Sequence, residues 1–256
     1  SAGDIELNQA AAAQLLAPLA EWKNPKDAFA SEALPTPRTP ARRLVLVDRP
    51  GASQTELRVV APGLPRRSTD TAVADVMDII LGGSFTSRLN QNLRERHGYT
   101  YGAASRLLPF DGAGLFSAGA AVRTDVTAES LTELLGELDR MRTEAVAADE
   151  LAKGKKSVQQ HLVAECERAA GLAHVFAEIA RGGLPLDELT RLLNGARAAT
   201  TGAIQKTAGG LLAPPRLSIV VVGDLKKVEA AVRKQLGAGP SFTVERRDSD
   251  GQPLPQ

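Results

Sequence analysis

The sequence predicts an α+β fold: antiparallel β-sheet with α-helices packed on one face, in two related units over residues 43–145 and 146–240. Three observations carry this. β-rich runs are closed by tight turns at Arg49-Pro50-Gly51, Pro62-Gly63 and Pro109–Gly112, the punctuation of hairpins. Apolar residues at Ala72, Val73, Val76, Met77, Ile79 and Ile80, and again at Leu131, Leu134, Leu135, Leu138 and Met141, repeat with helical spacing. Strands come in blocks followed by helices, with hairpin-length turns, which argues for α+β with antiparallel pairing.

Each element has a local reason. Residues 9–22 are Ala- and Leu-rich and read as a helix that Pro18 bends or ends. Pro25, Pro35, Pro37 and Pro40 then mark 25–42 as a linker. Arg43–Asp48 and Gln54–Ala61 read as strands. Ser68-Thr69-Asp70 offers caps for the helix that follows, and Gly82-Gly83 is expected to stop it. Ser87–Arg96 reads as a short helix ended by Gly98. Tyr99–Leu107 and Gly114–Val122 form a strand pair, and a helix spans about 126–145. The stretch 148–206 is almost wholly helical, broken at Gly182-Gly183 and Pro185, with Asp187 as a cap. Leu217–Val222 is a strand, 226–236 a last helix, and 241–256 a polar tail, expected to be loose from about 245.

Composition excludes several functions. The chain has 256 residues, 31 Lys+Arg against 30 Asp+Glu, and a net charge of +1, so it has no overall field for gripping nucleic acid. No apolar run reaches the length of a membrane span. Cys166 is the one cysteine, which rules out an internal disulfide and any Cys-rich zinc site. The pair Gly3-Asp4-Ile5 and Gly223-Asp224-Leu225, each before a helix and 220 residues apart, reads either as coincidence or as the mark of a duplication. In the second case 1–24 is the last element of a preceding homologous half.

Catalytic motifs are sparse. The histidines are His97, His161 and His174, and neither H-x-x-E-H nor H-E-x-x-H occurs. His161 with Glu165 and His174 with Glu178 have H-x-x-x-E spacing, which puts each pair on one helix face. Such pairs are commonly surface hydrogen bonds and occasionally metal ligands. Cys166 has no activating neighbour. Gly82-Gly83-Ser84 lacks the Lys of a phosphate loop and follows no strand, so a turn between helices is the better reading.

The stretch Leu81–Ala103, Leu-Gly-Gly-Ser-Phe-Thr-Ser-Arg-Leu-Asn-Gln-Asn-Leu-Arg-Glu-Arg-His-Gly-Tyr-Thr-Tyr-Gly-Ala, is more specific than any of its parts. It resembles the pattern L-G-G-x-x-[ST]-S-R-L-x-x-x-L-R-E-x-x-G-L-x-Y of the pitrilysin/insulinase family of zinc metallopeptidases. Val47–Gln54 resembles that family's turn before the second strand, and Leu217–Asp224 its closing V-x-V-x-G-D strand. The resemblance covers about 43–240. It implies the processing-peptidase-like metallohydrolase fold, in which two homologous halves enclose a chamber and one half binds zinc through H-x-x-E-H and a downstream Glu. Here the corresponding helix, Ser68–Gly82, holds Asp75 and Asp78 and no histidine. This chain therefore resembles the C-terminal, zinc-free half. The resemblance implies no catalytic or metal-binding residue in it, zinc in a partner half on the same or a separate chain, and no hydrolysis by this chain alone.

What the resembling half supplies is an Arg–Tyr pair seven residues apart, here Arg94 and Tyr101, which the resemblance implies bind the substrate backbone near the scissile bond. The bland alternative is an ion pair of Arg94 with Glu95 and a Tyr half-packed on the sheet. Tyr99 competes for the tyrosine role, but the spacing selects Tyr101. The implied partners are the zinc-bearing half and unfolded peptides. Periplasm and cytoplasm both remain open. A different class of function is a degenerate scaffold or assembly subunit of the same fold with no peptidase role. A third is a metal-binding protein built on His161 and His174.

Overall fold

The computed structural model describes residues 42–237 and 242–255, with Ala13, Gln14 and Ala17 as isolated helical positions within the expected 9–22 helix. The expectations of a preceding half over 1–24 and a linker over 25–42 otherwise lie outside the described residues. The strands are β1 (Arg43–Asp48), β2 (Gln54–Gly63), β3 (Thr100–Leu108), β4 (Gly114–Arg123), β5 (Ser218–Gly223) and β6 (Thr243–Arg247). The helices are α1 (Thr71–Asp78), α2 (Asn90–Arg96), α3 (Thr127–Thr143), α4 (Ala148–Cys166), α5 (Ala169–Gly182), α6 (Glu188–Ala198), α7 (Thr201–Leu211) and α8 (Leu225–Leu236). None is long and apolar enough to cross a membrane.

All six strands form one mixed sheet in the order β3-β4-β2-β5-β1-β6. The α+β class is the expected one; the partition of the strands is not. β5, from the expected second unit, lies between β1 and β2, antiparallel to β2 and parallel to β1. Its sequence gives the reason: Ile219, Val220, Val221 and Val222 are apolar on both faces, which suits a central strand rather than an edge. The polar tail also departs from expectation. Thr243–Arg247 pairs in parallel with β1, with Val45 opposite Glu245, and Leu254 N–H donates back to Arg246 at 2.8 Å. Arg43 holds Glu245 through two hydrogen bonds of 2.8 Å. An edge strand needs few apolar residues, so Phe242 and Val244 suffice and the charge pattern hides it.

One face of the sheet is the core. Leu44, Leu46, Leu57, Val59, Phe116, Ile219 and Val221 are fully buried under the helices, each large side chain contributing about 1.5–3 kcal/mol. Leu131, Leu134, Leu138 and Met141 of α3 are buried as their spacing predicts, and Leu135 packs at the margin. Alternate residues, among them Val45, Val47, Arg58, Val220 and Val222, lie on the opposite face and are half-buried or exposed.

Gly82 and Gly83 are the last residues of the helix, as expected, but they end it in a π-helical turn. The chain continues from α1 through a wider π-helical turn, Ile79–Gly83, and leaves it only at Ser84, whose backbone is extended. A Cβ on Gly82 would collide with the Ser105 backbone nitrogen, so the missing side chain lets this turn seat on the outer edge of β3. Gly82→Ala is expected to cost about 1–3 kcal/mol through overpacking, measured as a lower urea midpoint. No loss would mean that the turn is free to move off β3.

Candidate functional site

The site is built where α2 turns back into β3. Gly98, with φ of 63°, takes the left-handed turn that a side chain would resist. Gly98 N–H donates to Arg94 O at 3.0 Å and Tyr99 N–H to Leu93 O at 2.9 Å, which satisfies the last carbonyls of α2. The helix face carrying Arg94 is thereby joined to the start of β3 by a short reversal.

β3 is irregular at that start. Its register against β4 shifts between Thr100 and Ala103, so Tyr101 and Gly102 bulge out of the ladder. The Thr100 hydroxyl lies 2.6 Å from Ala121 O and accepts from Gly102 N–H at 3.1 Å, pinning the bulge from inside. The consequence is that Tyr101 is 94% exposed. Tyr99, two residues earlier, stacks on His97 with ring centroids 4.8 Å apart. The structure thus separates the two tyrosines: Tyr99 is packed and Tyr101 is presented. The reading of Tyr101 as a half-packed strand residue does not hold.

Tyr101 lines an open hollow of about 530 Å³. Its floor is Gly102, Ala103, Ala104, Gly119 and Ala121, its near rim the Gly82–Phe85 segment, and its far wall the Glu56–Arg58 ion pair. The small floor residues leave room for an extended chain. Arg94 meets the hollow through Phe85: the guanidinium carbon stands 3.9 Å from the centroid of that ring, and Phe85 is 68% exposed. Arg94 lies only 3.5 Å from Glu95, a loose pair. Its Nη1 is buried and has no hydrogen-bond partner among the described residues. A buried donor left without a partner is costly.

Sequence reasoning named Arg94 and Tyr101 but missed Phe85, Asn90 and Thr100. Phe85 stands at a variable position of the motif. Asn90 and Thr100 act on the backbone, and nothing in their spacing announces it.

The other candidates do not converge. His161 lines a hollow of about 210 Å³ with Asp75 and Asp78, whereas His174 lies beside Glu178 in an adjoining one that shares Asp75 and Leu162 with it. Glu178 is already held by Arg181 at 2.8 Å and Arg66 at 2.6 Å, and those two guanidinium groups hold its carboxyl down at about 2. Glu165 pairs with Arg168 at 3.1 Å. Among the described residues no group of three His, Cys, Asp or Glu could hold a metal ion. Metal analysis of the isolated chain tests the His161/His174 reading directly: one zinc per chain would support it, and none would remove it. Gly82 and Gly83 close a helix instead of opening one, so their end of it presents carbonyls and not the N–H groups an anion needs.

Asp75 and Asp78 lie on α1 beside the hollow that His161 lines. Burial, with the nearby Asp78 charge, pushes the Asp75 carboxyl up to about 7. Burial raises Asp78 to about 6, while the Ser105 hydroxyl, which donates to it at 2.6 Å, and Arg106 pull the other way.

A family model described as the peptidase M16 inactive domain matches residues 1–158. An uncharacterized zinc protease of Streptomyces coelicolor is 27% identical over 194 residues, 75% of this chain and 41% of that protein. The crystal structure of a peptidase M16 inactive domain from Pseudomonas fluorescens shares the fold with a TM-score of 0.66 and 23% identity, over 72% of this chain and 43% of that one. A protease from Helicobacter pylori gives a TM-score of 0.75 at 18% identity, over 87% of this chain and 53% of that one. The chain spans less than half the length of the curated relatives it matches.

Proposed function

The chain belongs to the peptidase M16 inactive-domain family, and on that premise we propose that it is the substrate-binding, zinc-free half of a peptide-cleaving chamber completed by a homologous zinc-bearing half. The observation that carries this reading is Tyr101 presented at the hollow, with Arg94 packed behind the Phe85 that forms part of its rim. The Tyr101 phenol is thrown clear of the sheet by a bulge, and the Arg94 guanidinium, with one nitrogen unpaired, lies behind Phe85.

A peptide carbonyl attacked by zinc-activated water gains negative charge on its oxygen. A phenol O–H and a guanidinium N–H are suited to donate to that oxygen or to its neighbours, and preset donors stabilise the transition state more than the ground state. Both recognise the backbone, so they serve many sequences. In this reading zinc and the attacking water belong to the partner half, and this chain's residues bind, orient and polarise the peptide.

The alternative is a scaffold subunit of the same fold. A scaffold has no use for a bulge that exposes a tyrosine over a small-residue floor. The test is binding without cleavage. The isolated chain should raise the fluorescence anisotropy of a labelled unfolded peptide and leave that peptide intact, and Arg94→Ala should weaken the binding. Absence of binding at high protein concentration would favour the scaffold.

A further inference from the structure

We propose that Asn90 is the positioning residue of this site: its one side-chain amide ties α2, the Ser84–Ser87 turn and the edge of β3 together, and so sets Tyr101 and Phe85 in place relative to Arg94. The inference rests on the proposed role of Arg94 and Tyr101 and adds the residue that fixes their geometry.

β3 is the terminal strand of the sheet, so its outward backbone groups lack a strand to pair with. At Ala103, the first residue after the bulge, Asn90 takes that part. Ala103 N–H donates to Asn90 Oδ1 at 3.0 Å, and Asn90 Nδ2 donates to Ala103 O at 2.8 Å. These are the two bonds an adjoining strand would make. The same Nδ2 reaches Ser84 O at 3.1 Å and Ser87 Oγ at 3.2 Å. Asn90 is only 6% exposed, so no water can replace it there. Arg94 follows four residues later, just short of one turn on in this π-helical segment. One amide therefore touches the turn that carries Phe85, the strand that carries Tyr101 and the helix that carries Arg94.

The bulge is held from two sides, by Thr100 toward β4 and by Asn90 on the outer edge. The next outward position, Ser105, is covered by Gly82. The strand edge is thus closed at Ala103 and Ser105, and a peptide cannot extend the sheet there. What remains for recognition at this side is the set of side chains that Asn90 orients. An apolar residue at 90 would fill the space and leave Ala103 N–H and Ala103 O unpaired, while Ser84 O would keep only the Ser87 N–H at 3.2 Å.

The chain contains two tyrosines, Tyr99 and Tyr101, so fluorotyrosine labelling gives two 19F resonances, assigned with Tyr101→Phe. Tyr101 is already 94% exposed, so the readout is mobility: in Asn90→Ala the Tyr101 resonance should narrow as the bulge loosens while that of Tyr99 keeps its linewidth and position. If Asn90→Ala does not fold, Asn90→Asp serves, since it keeps the acceptor for Ala103 N–H and loses every donor. Val158→Ala, a buried substitution on α4, is the control for lost stability and should change neither resonance. With the zinc-bearing half, Asn90→Ala should lower kcat about tenfold to hundredfold, as misplacement of reacting groups does, with a smaller change in KM. An unchanged Tyr101 linewidth, or unchanged kcat while Arg94→Ala and Tyr101→Phe both impair cleavage, would overturn the inference. No effect of Arg94→Ala and Tyr101→Phe themselves would instead remove the functional reading on which it rests.

Discussion

In the assembled enzyme, Arg94→Ala and Tyr101→Phe are each expected to lower kcat/KM by about 10²–10³, the ~2.7–4 kcal/mol typical of losing one transition-state donor. The two changes test different chemistry. Tyr101→Phe removes a single hydroxyl from a ring that is 94% exposed, so the fold has nothing to lose by it. Arg94→Ala removes a guanidinium that stacks on Phe85 and only loosely meets Glu95. A cation–π contact of this kind contributes about 0.5–1 kcal/mol at an exposed site, and loss of the unpaired Nη1 offsets part of it. Both variants should therefore unfold at nearly the wild-type urea concentration. Because the donors act on one reacting group, the double variant should fall short of the product of the single losses. Equal turnover in wild type and both variants would remove the assignment.

The second large effect is on stability. Asp75 and Asp78 titrate at about 7 and about 6 in the folded chain, well above an unfolded aspartate near 3.9. The folded chain holds these protons more tightly than the unfolded one, so stability falls as pH rises from about 4 through 7 and levels off above. Going from pH 8 to pH 5 should therefore stabilise the protein by ~2–4 kcal/mol, because a tenfold difference in proton affinity between folded and unfolded chain is worth about 1.36 kcal/mol. Below about pH 4.5 the trend reverses. Glu178, held down by Arg181 and Arg66, and Glu150, held down by Arg88, are depressed carboxylates that lose their ion-pair stabilisation on protonation. The midpoint of urea unfolding should accordingly be highest near pH 5. Asp75→Asn should raise it at pH 8 and flatten the slope between pH 5 and 8. A wild-type midpoint that rises from pH 5 to pH 8 would contradict the assignment.

The strands and helices are legible in the sequence because their apolar periodicities are local. β1, β3 and β4 begin and end within a residue of where the turns place them, and α3 buries the residues its spacing selects. Pairing is less legible. That β5 lies between β1 and β2 is hinted at only by a Val-rich run apolar on both faces. That β6 exists at all is hidden, because an edge strand can be Thr-Val-Glu-Arg-Arg and still pair. Gly82 and Gly83 mark the helix end in the sequence, but glycine marks a helix end and a close approach with the same letter, so the seating of Gly82 on β3 is not legible. At the site, the motif supplies Arg94 and Tyr101. Their presentation depends on Asn90 and Thr100, whose side chains bond to backbone groups that no side-chain pattern records.

The most direct measurement is cleavage of a fluorogenic peptide library by this chain alone, by a zinc-bearing homologous half alone, and by the two together, with and without a chelator. The account predicts cleavage by the mixture, abolished by the chelator, and none by this chain alone. A stable complex of the two halves that cleaves nothing would contradict it and leave the fold as a scaffold, and chelator-sensitive cleavage by this chain alone would contradict its assignment as the zinc-free half.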